Sequence, residues 1–225
     1  IVKKSLEENV DISHIVMVHH ETTTGLLNPL EEISQLARRF KKGFIVDAIS
    51  SFAGLPLDME KDSIDFIMSS SNKCIQGIPG ISFVIAKREE MDKLKNYPKR
   101  SFYLNLYQQY ESFETKGETP FTPAIQTTYA LRQAIDEFFE EGAENRFKRY
   151  RKSHETMVKG LREMGFEFLL KDEQQSGILL TVMEPKDKNY SFLRLHDLLY
   201  ERGYTIYPGK IGKENTFRLA NLGAI

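Results

Sequence analysis

Cysteine occurs once in this 225-residue chain, at Cys74. A single thiol excludes an internal disulfide framework. Histidine is sparse too, with five residues, and apart from the adjacent His19 and His20 no pair stands at zinc-ligand spacing. A structural metal is therefore not expected. Long apolar runs are missing: stretches such as Ile15 to Val18 and Ile178 to Val182 fall far short of the roughly 20 residues a spanning helix needs. No signal-peptide pattern opens the chain, so the expected compartment is the cytoplasm and no membrane partner is expected. There is no charge excess either. A net charge of -1 with both signs interspersed offers no clustered basic face for nucleic acid, which leaves a small molecule as the expected partner.

What is present is the make-up of a soluble globular protein, 40% hydrophobic and 28% charged. The first third alternates apolar runs with helical periodicity. HIVMVHH is a short run, NPLEEISQLARRFKKG places Ile33, Leu36, Ala37 and Phe40 on one helical face, and GFIVDA, IDFIMSS and GISFVIAKRE follow as further runs. Near-continuous apolar strands separated by helices indicate an α/β fold with a parallel sheet covered on both faces. The segment SFYLNLYQQYESFETKGETPFTP is too polar for the core and too aromatic for a linker, and reads as surface or interface. A long helical pattern from Pro123 breaks at Gly142 and stops at Gly165. Beyond it FEFLL, SGILLTVMEP, a helix from Ser191 to Arg202, GYTIYPG and TFRLANLG suggest a small α+β unit. The expected division is residues 1–125, 126–165 and 166–225, with an opening at Ile1 and a close in FRLANLGAI that read as those of a piece of a longer polypeptide.

The chemistry concentrates at strand ends, where open α/β sheets bind their ligands. Asp47 ends one apolar run and Lys73 follows another, behind Ser69, Ser70, Ser71 and Asn72. A carboxylate and an amine on neighbouring strand ends can grip pyridoxal phosphate, the lysine as a Schiff base and the aspartate against the protonated ring nitrogen. Each has an ordinary alternative: Lys73 as a solvated surface lysine, Asp47 as a helix cap or Asx-turn residue. Glu21-Thr22-Thr23-Thr24-Gly25 places hydroxyls at another strand end, to bond a phenolic oxygen or carboxylate, or to cap the helix that follows. Arg218, between apolar residues on a strand pattern, would hold a carboxylate of substrate or protein by paired hydrogen bonds. The histidines show no constellation and read as ordinary surface or core residues.

The blocks VHHETTTGLLNPLEEI, IVDAISSFAGLPLDM, IDFIMSSSNKCIQGIPGISFVIA, FTPAIQTTYALRQAIDE and FRLANLG, in this order, resemble the 2-aminoethylphosphonate–pyruvate transaminases. These belong to the class V group of fold-type I pyridoxal-phosphate enzymes. The resemblance implies a three-layer α/β sandwich with a mainly parallel central sheet and a smaller C-terminal α+β domain. It implies that Lys73 anchors the cofactor and shuttles the substrate proton, and that Asp47 keeps the ring nitrogen protonated. Ile49 would pack on the ring, Thr23 and Ser50 lie near the phenolic oxygen, and Ser70 and Asn72 face the phosphate. Thr122, next to Phe121, would reach a phosphate across a homodimer interface. Arg218 would take the carboxylate of pyruvate or alanine. Alanine– or serine–glyoxylate and serine–pyruvate transaminases look similar in outline, and an inactive fragment or domain of a fused phosphonate-pathway protein is a further alternative. The family's upstream glycine- and hydroxyl-rich phosphate loop has no counterpart in this sequence, so weak cofactor binding is expected.

Overall fold

The computed structural model describes residues 1–211 and 214–224. Helix α1 (Val2–Glu8) precedes β1 (His14–Val18), which forms from the HIVMVHH run. A two-residue hairpin, β2 (His20–Glu21) and β3 (Leu26–Leu27), leads into α2 (Leu30–Arg39). Glu31 and Glu32 occupy the first turn of α2 and Arg38 and Arg39 the last, matching the helix dipole at both ends. The chain then forms β4 (Gly43–Asp47), β5 (Phe66–Ser70) and β6 (Ser82–Ala86).

These strands form one sheet in the order β1-β4-β5-β6, with the first three parallel. β6 runs antiparallel to β5, Met68 opposite Val84. Alternation along β4 buries Phe44 and Val46, which pack with Ala37, Ile64 and Ile67 into the main core. In parallel register Val16 pairs with Ile45, and Val18 with Asp47, which in turn pairs with Met68. Paired residues share a face, so these lie opposite the Phe44–Val46 core. That face is open toward β1, where Val16 is 65% and Val18 40% exposed, and closed at Phe66 on β5, which pairs with Ile45 and is 8% exposed.

α3 (Arg88–Lys93) follows β6, and α4 (Leu106–Lys116) lies within the aromatic segment read as surface or interface. The Asn105 side chain caps α4 by accepting from the Gln108 N–H at 2.7 Å, and Gly117 ends it at φ 68°. α5 (Ile125–Glu141) and α6 (Ala143–Glu163) are divided at Gly142, as its position in the sequence suggests. α6 buries Arg146, Tyr150, His154 and Leu161 along one stripe. The remaining elements are β7 (Leu179–Met183), α7 (Phe192–Tyr200), β8 (Tyr207–Ile211) and β9 (Glu214–Ala220). They make an antiparallel sheet, β7-β9-β8, whose core joins Leu161, Leu180, Val182, Ile206 and Phe217. FEFLL, expected as a strand, contributes only a bridge from Phe168 to Val182.

Candidate active site at the strand ends

The carboxyl ends of β1, β4 and β5 lie side by side and are laced together beyond their last residues. The His19 N–H donates to the Asp47 carbonyl at 2.8 Å, and the Ala48 N–H to the Met68 carbonyl at 2.9 Å. Asp47 is half-buried. Its Oδ1 accepts from the Ile49 N–H at 3.0 Å, an Asx turn, while Oδ2 has no partner among the described residues. Ile49 is left 39% exposed beside it. The turn alternative for Asp47 is therefore realised, but by one oxygen only.

Lys73 stands on the turn that follows β5. The turn is closed by the Gln76 N–H donating to the Lys73 carbonyl at 2.8 Å, with Gln76 at φ 69°. Lys73 is half-buried, and its Nζ makes no hydrogen bond or ion pair among the described residues. Ser70 donates to Asn72 Oδ1 at 3.0 Å. Serines 69 and 71 are buried, the first donating to the Ala48 carbonyl and the second to the Ile78 carbonyl.

The ETTTG loop folds on itself. Glu21 Oε1 accepts from the Thr23 N–H at 2.9 Å and from its hydroxyl at 2.8 Å, bonds that hold the carboxyl below its ordinary pKa. Gly25, at φ 82°, lies against β7: a Cβ there would meet the Leu179 carbonyl at 2.6 Å. Arg218, on β9, reaches this loop. Its Nη1 donates to the Thr22 carbonyl at 3.3 Å and Nη2 to the Pro208 carbonyl at 3.4 Å, while Nε is buried without a partner among the described residues. No carboxylate of the described residues pairs with it, so the guanidinium charge is left unneutralised there.

Thr122 is not linked by any hydrogen bond to these residues. It is exposed, and its neighbour Phe121 packs against the Phe102 and Tyr103 rings at 5.3 and 5.0 Å. Ser50 is buried and donates to the His20 carbonyl at 3.1 Å.

Sequence reasoning missed the buried histidine pair. His19 Nδ1 lies 3.0 Å from Ser51 Oγ and His20 Nδ1 2.9 Å from Ser50 Oγ. Burial pushes both pKa values down to about 4, and His20 Nε2 has no partner among the described residues. Adjacent HH facing adjacent SS was the available signal. Also missed were Arg146 and Tyr150, which pack behind Lys73. No group of three or more His, Cys, Asp or Glu among the described residues could hold a metal ion, and no described helix is long and apolar enough to cross a membrane.

The class-V aminotransferase family model matches residues 1–206. The chain belongs to that family. Among class-V relatives, 2-aminoethylphosphonate–pyruvate transaminase of Phocaeicola vulgatus is 45% identical over 222 residues, covering 98% of this chain and 61% of its own length. The bifunctional phosphonoacetaldehyde hydrolase/aminoethylphosphonate transaminase of Clostridioides difficile is 43% identical over 227 residues, 100% of this chain and 36% of its own. Alanine–glyoxylate aminotransferase from Nostoc sp., a solved structure, superposes at a TM-score of 0.88 with 25% identity, covering 99% of this chain and 59% of that one. This class-V chain therefore spans about three fifths or less of the length of these relatives.

Proposed function

We propose that this chain is part of a pyridoxal-phosphate transaminase that moves the amino group of 2-aminoethylphosphonate to pyruvate, giving phosphonoacetaldehyde and L-alanine. The reading is carried by one observation: Asp47, with an uncommitted carboxylate oxygen, and Lys73, with an unpartnered amine, follow neighbouring parallel strands. Identities of 43–45% to transaminases of that specificity support the choice of substrates over those of alanine–glyoxylate enzymes, where identity is 25%.

The donor set suits the cofactor. When bound, pyridoxal phosphate supplies an electron sink for the pair released as the substrate proton leaves. Asp47 Oδ2 would hold the proton on the ring nitrogen. Lys73 Nζ would anchor the cofactor aldehyde, and then take and return the proton of the substrate carbon. Ile49 would cover one ring face. Ser70 and Asn72 would turn their donors to the phosphate. Thr23 and Ser50 would serve the phenolic oxygen only by exchanging their present acceptors, Glu21 and the His20 carbonyl. Arg218, half-buried and paired with no carboxylate of the described residues, would receive the pyruvate carboxylate on its guanidinium.

In this reading residues 1–125 contribute to the cofactor-binding domain, 126–165 connect, and 166–225 contribute to the small domain, in a cytoplasmic homodimer. Phe102 (74% exposed), Tyr103 (61%) and Leu104 (74%) form an apolar patch with Phe121 that suits a second copy, and would carry Thr122 to the partner's phosphate. The test is spectroscopic. Adding pyridoxal phosphate is expected to produce a visible absorption band that Lys73→Ala lacks and that 2-aminoethylphosphonate abolishes faster than alanine or serine. Equal spectra for wild type and Lys73→Ala would overturn the anchor. A band indifferent to 2-aminoethylphosphonate would overturn the substrate.

A further inference from the structure

Behind the Lys73 turn lies a polar cluster that the strand-end reading does not use. Arg146, 2% exposed, donates from Nη1 to the carbonyls of Cys74 at 3.3 Å and Ile75 at 3.5 Å, and from Nε to Glu141 at 2.6 Å. One helical turn on, Tyr150 is 1% exposed. Its hydroxyl donates to the same Cys74 carbonyl at 3.3 Å and accepts from Gln76 Nε2 at 2.7 Å. Every one of these bonds to the turn falls on the residues immediately after Lys73.

Tyr150 also faces the other way. Its hydroxyl accepts from the Gly223 N–H at 3.2 Å, and its backbone carbonyl accepts from Asn221 Nδ2 at 2.8 Å. Asn221 and Gly223 follow directly on β9, which carries Arg218. A single side chain thus touches the lysine turn and the end of the arginine strand.

The turn needs such support. A non-glycine residue at φ 69°, as Gln76 is, persists only where its surroundings over-determine it. Space around the turn is closed as well: a Cβ on Gly54 would lie 2.3 Å from Cys74 Sγ, and one on Gly77 2.5 Å from the Ser71 carbonyl. Burial keeps the Tyr150 phenol neutral, and so a donor.

We propose that Tyr150, backed by Arg146, is a positioning residue: it fixes the Cys74–Gln76 turn so that the Lys73 amine is presented at one place at the end of β5, and it ties that place to the strand bearing Arg218. The proposal rests on the reading of Lys73 as the cofactor anchor. A positioning role differs from simple packing in that it changes where and when one lysine reacts, without changing how the chain folds.

The experiment traps the attachment directly. The chain is incubated with pyridoxal phosphate over a range of pH, reduced with borohydride and digested, and mass spectrometry gives the fraction of Lys73 modified. Exposed Lys3 and Lys148 serve as internal references. Tyr150→Phe keeps the ring and removes the hydroxyl. It is expected to require about five- to tenfold more pyridoxal phosphate for half-modification of Lys73, only part of the three hydrogen bonds lost with the hydroxyl being felt at the amine, and to move the pH midpoint of that modification. The reference lysines and the circular dichroism should stay as in wild type. A folded Tyr150→Phe chain with a wild-type Lys73 profile would overturn the proposal. Should Tyr150→Phe not fold, Gln76→Met, which removes only the amide donated to the phenol, decides by the same criterion. If wild-type Lys73 reacts no better than Lys3 and Lys148, it is the anchor reading that fails, a different outcome from either.

Discussion

Arg218 and Thr22, 196 residues apart in the chain, meet through a 3.3 Å hydrogen bond from the guanidinium Nη1 to the threonine carbonyl. The bond joins the β7-β9-β8 sheet to the loop between β2 and β3. Because a neutral carbonyl rather than a carboxylate accepts it, the positive charge of Arg218 is not neutralised within the described residues. Replacing it tests its role directly. Arg218→Lys keeps the charge but loses the planar fork, and under the proposed function is expected to weaken pyruvate binding about 10- to 100-fold in a calorimetric titration of the cofactor-loaded protein. Unchanged affinity would remove Arg218 from the substrate site.

Acid should destabilise the chain in two stages. His19 and His20 have folded pKa values near 4, below the ordinary 6.5, because burial disfavours their charged forms. The unfolded chain therefore takes up protons first as pH falls. Their contribution is complete above about pH 6.5 and is lost progressively toward about pH 4, each histidine accounting for about 2–3 kcal/mol. Glu21 and Glu141 are shifted down, Glu21 chiefly by the Thr23 backbone bond and Glu141 chiefly by Arg149, so their contribution is lost as pH falls below the ordinary carboxylate range. Urea unfolding at several pH values reads the slope. Asn at both histidine positions should flatten the part between about pH 6.5 and 4.

Cys74 should be chemically silent. It is fully buried, donates to the Ser50 carbonyl at 3.2 Å, and burial pushes its pKa up to about 12. An aromatic disulfide reagent at mild alkaline pH is expected to titrate no thiol until denaturant is added. Rapid reaction of the folded chain would mean that the turn beside Lys73 opens readily.

Two glycines separate contact from conformation. Gly77→Ala would press a methyl to 2.5 Å from the Ser71 backbone carbonyl, and is expected to destabilise by about 2–4 kcal/mol. Gly117→Ala meets nothing within 4 Å and carries only the strain of φ 68°, expected to be about 1 kcal/mol. Thermal melts of the two variants give the comparison.

How far the sequence carried the reading depended on what kind of order each part uses. The placement of Asp47 and Lys73 at strand ends was legible because hydrophobic runs end at or just before them, and strands announce their ends by a change of polarity. The β6 run was counted with the parallel strands, whereas it lies antiparallel to β5. Between Ser70 and Ser82 the chain holds Gly77, Pro79 and Gly80 and no helix, too little for the crossover a parallel neighbour requires. α4 hid because it buries no residue, leaving only Asn105 and Gly117 as boundary marks. Arg146 and Tyr150 were illegible for the opposite reason: in ENRFKRYRKSHE they look like part of a solvated helix face, and their burial depends on a turn more than 70 residues earlier. The histidine pair was read as ordinary because its partners, Ser50 and Ser51, are likewise distant.

The sheet order β1-β4-β5-β6 leaves β1 and β6 with one unpaired edge each among the described residues, and Val16 on β1 is 65% exposed. An unpaired strand with an apolar neighbour is a template for another strand. Prepared on its own, this chain should be a concentration-dependent associator, its light scattering rising in dilution series run upward and its edge amides exchanging with deuterium more slowly as it does so. Handling it dilute, or with a strand supplied to cap β1, is then a matter of controlling polymerisation rather than of stabilising the fold.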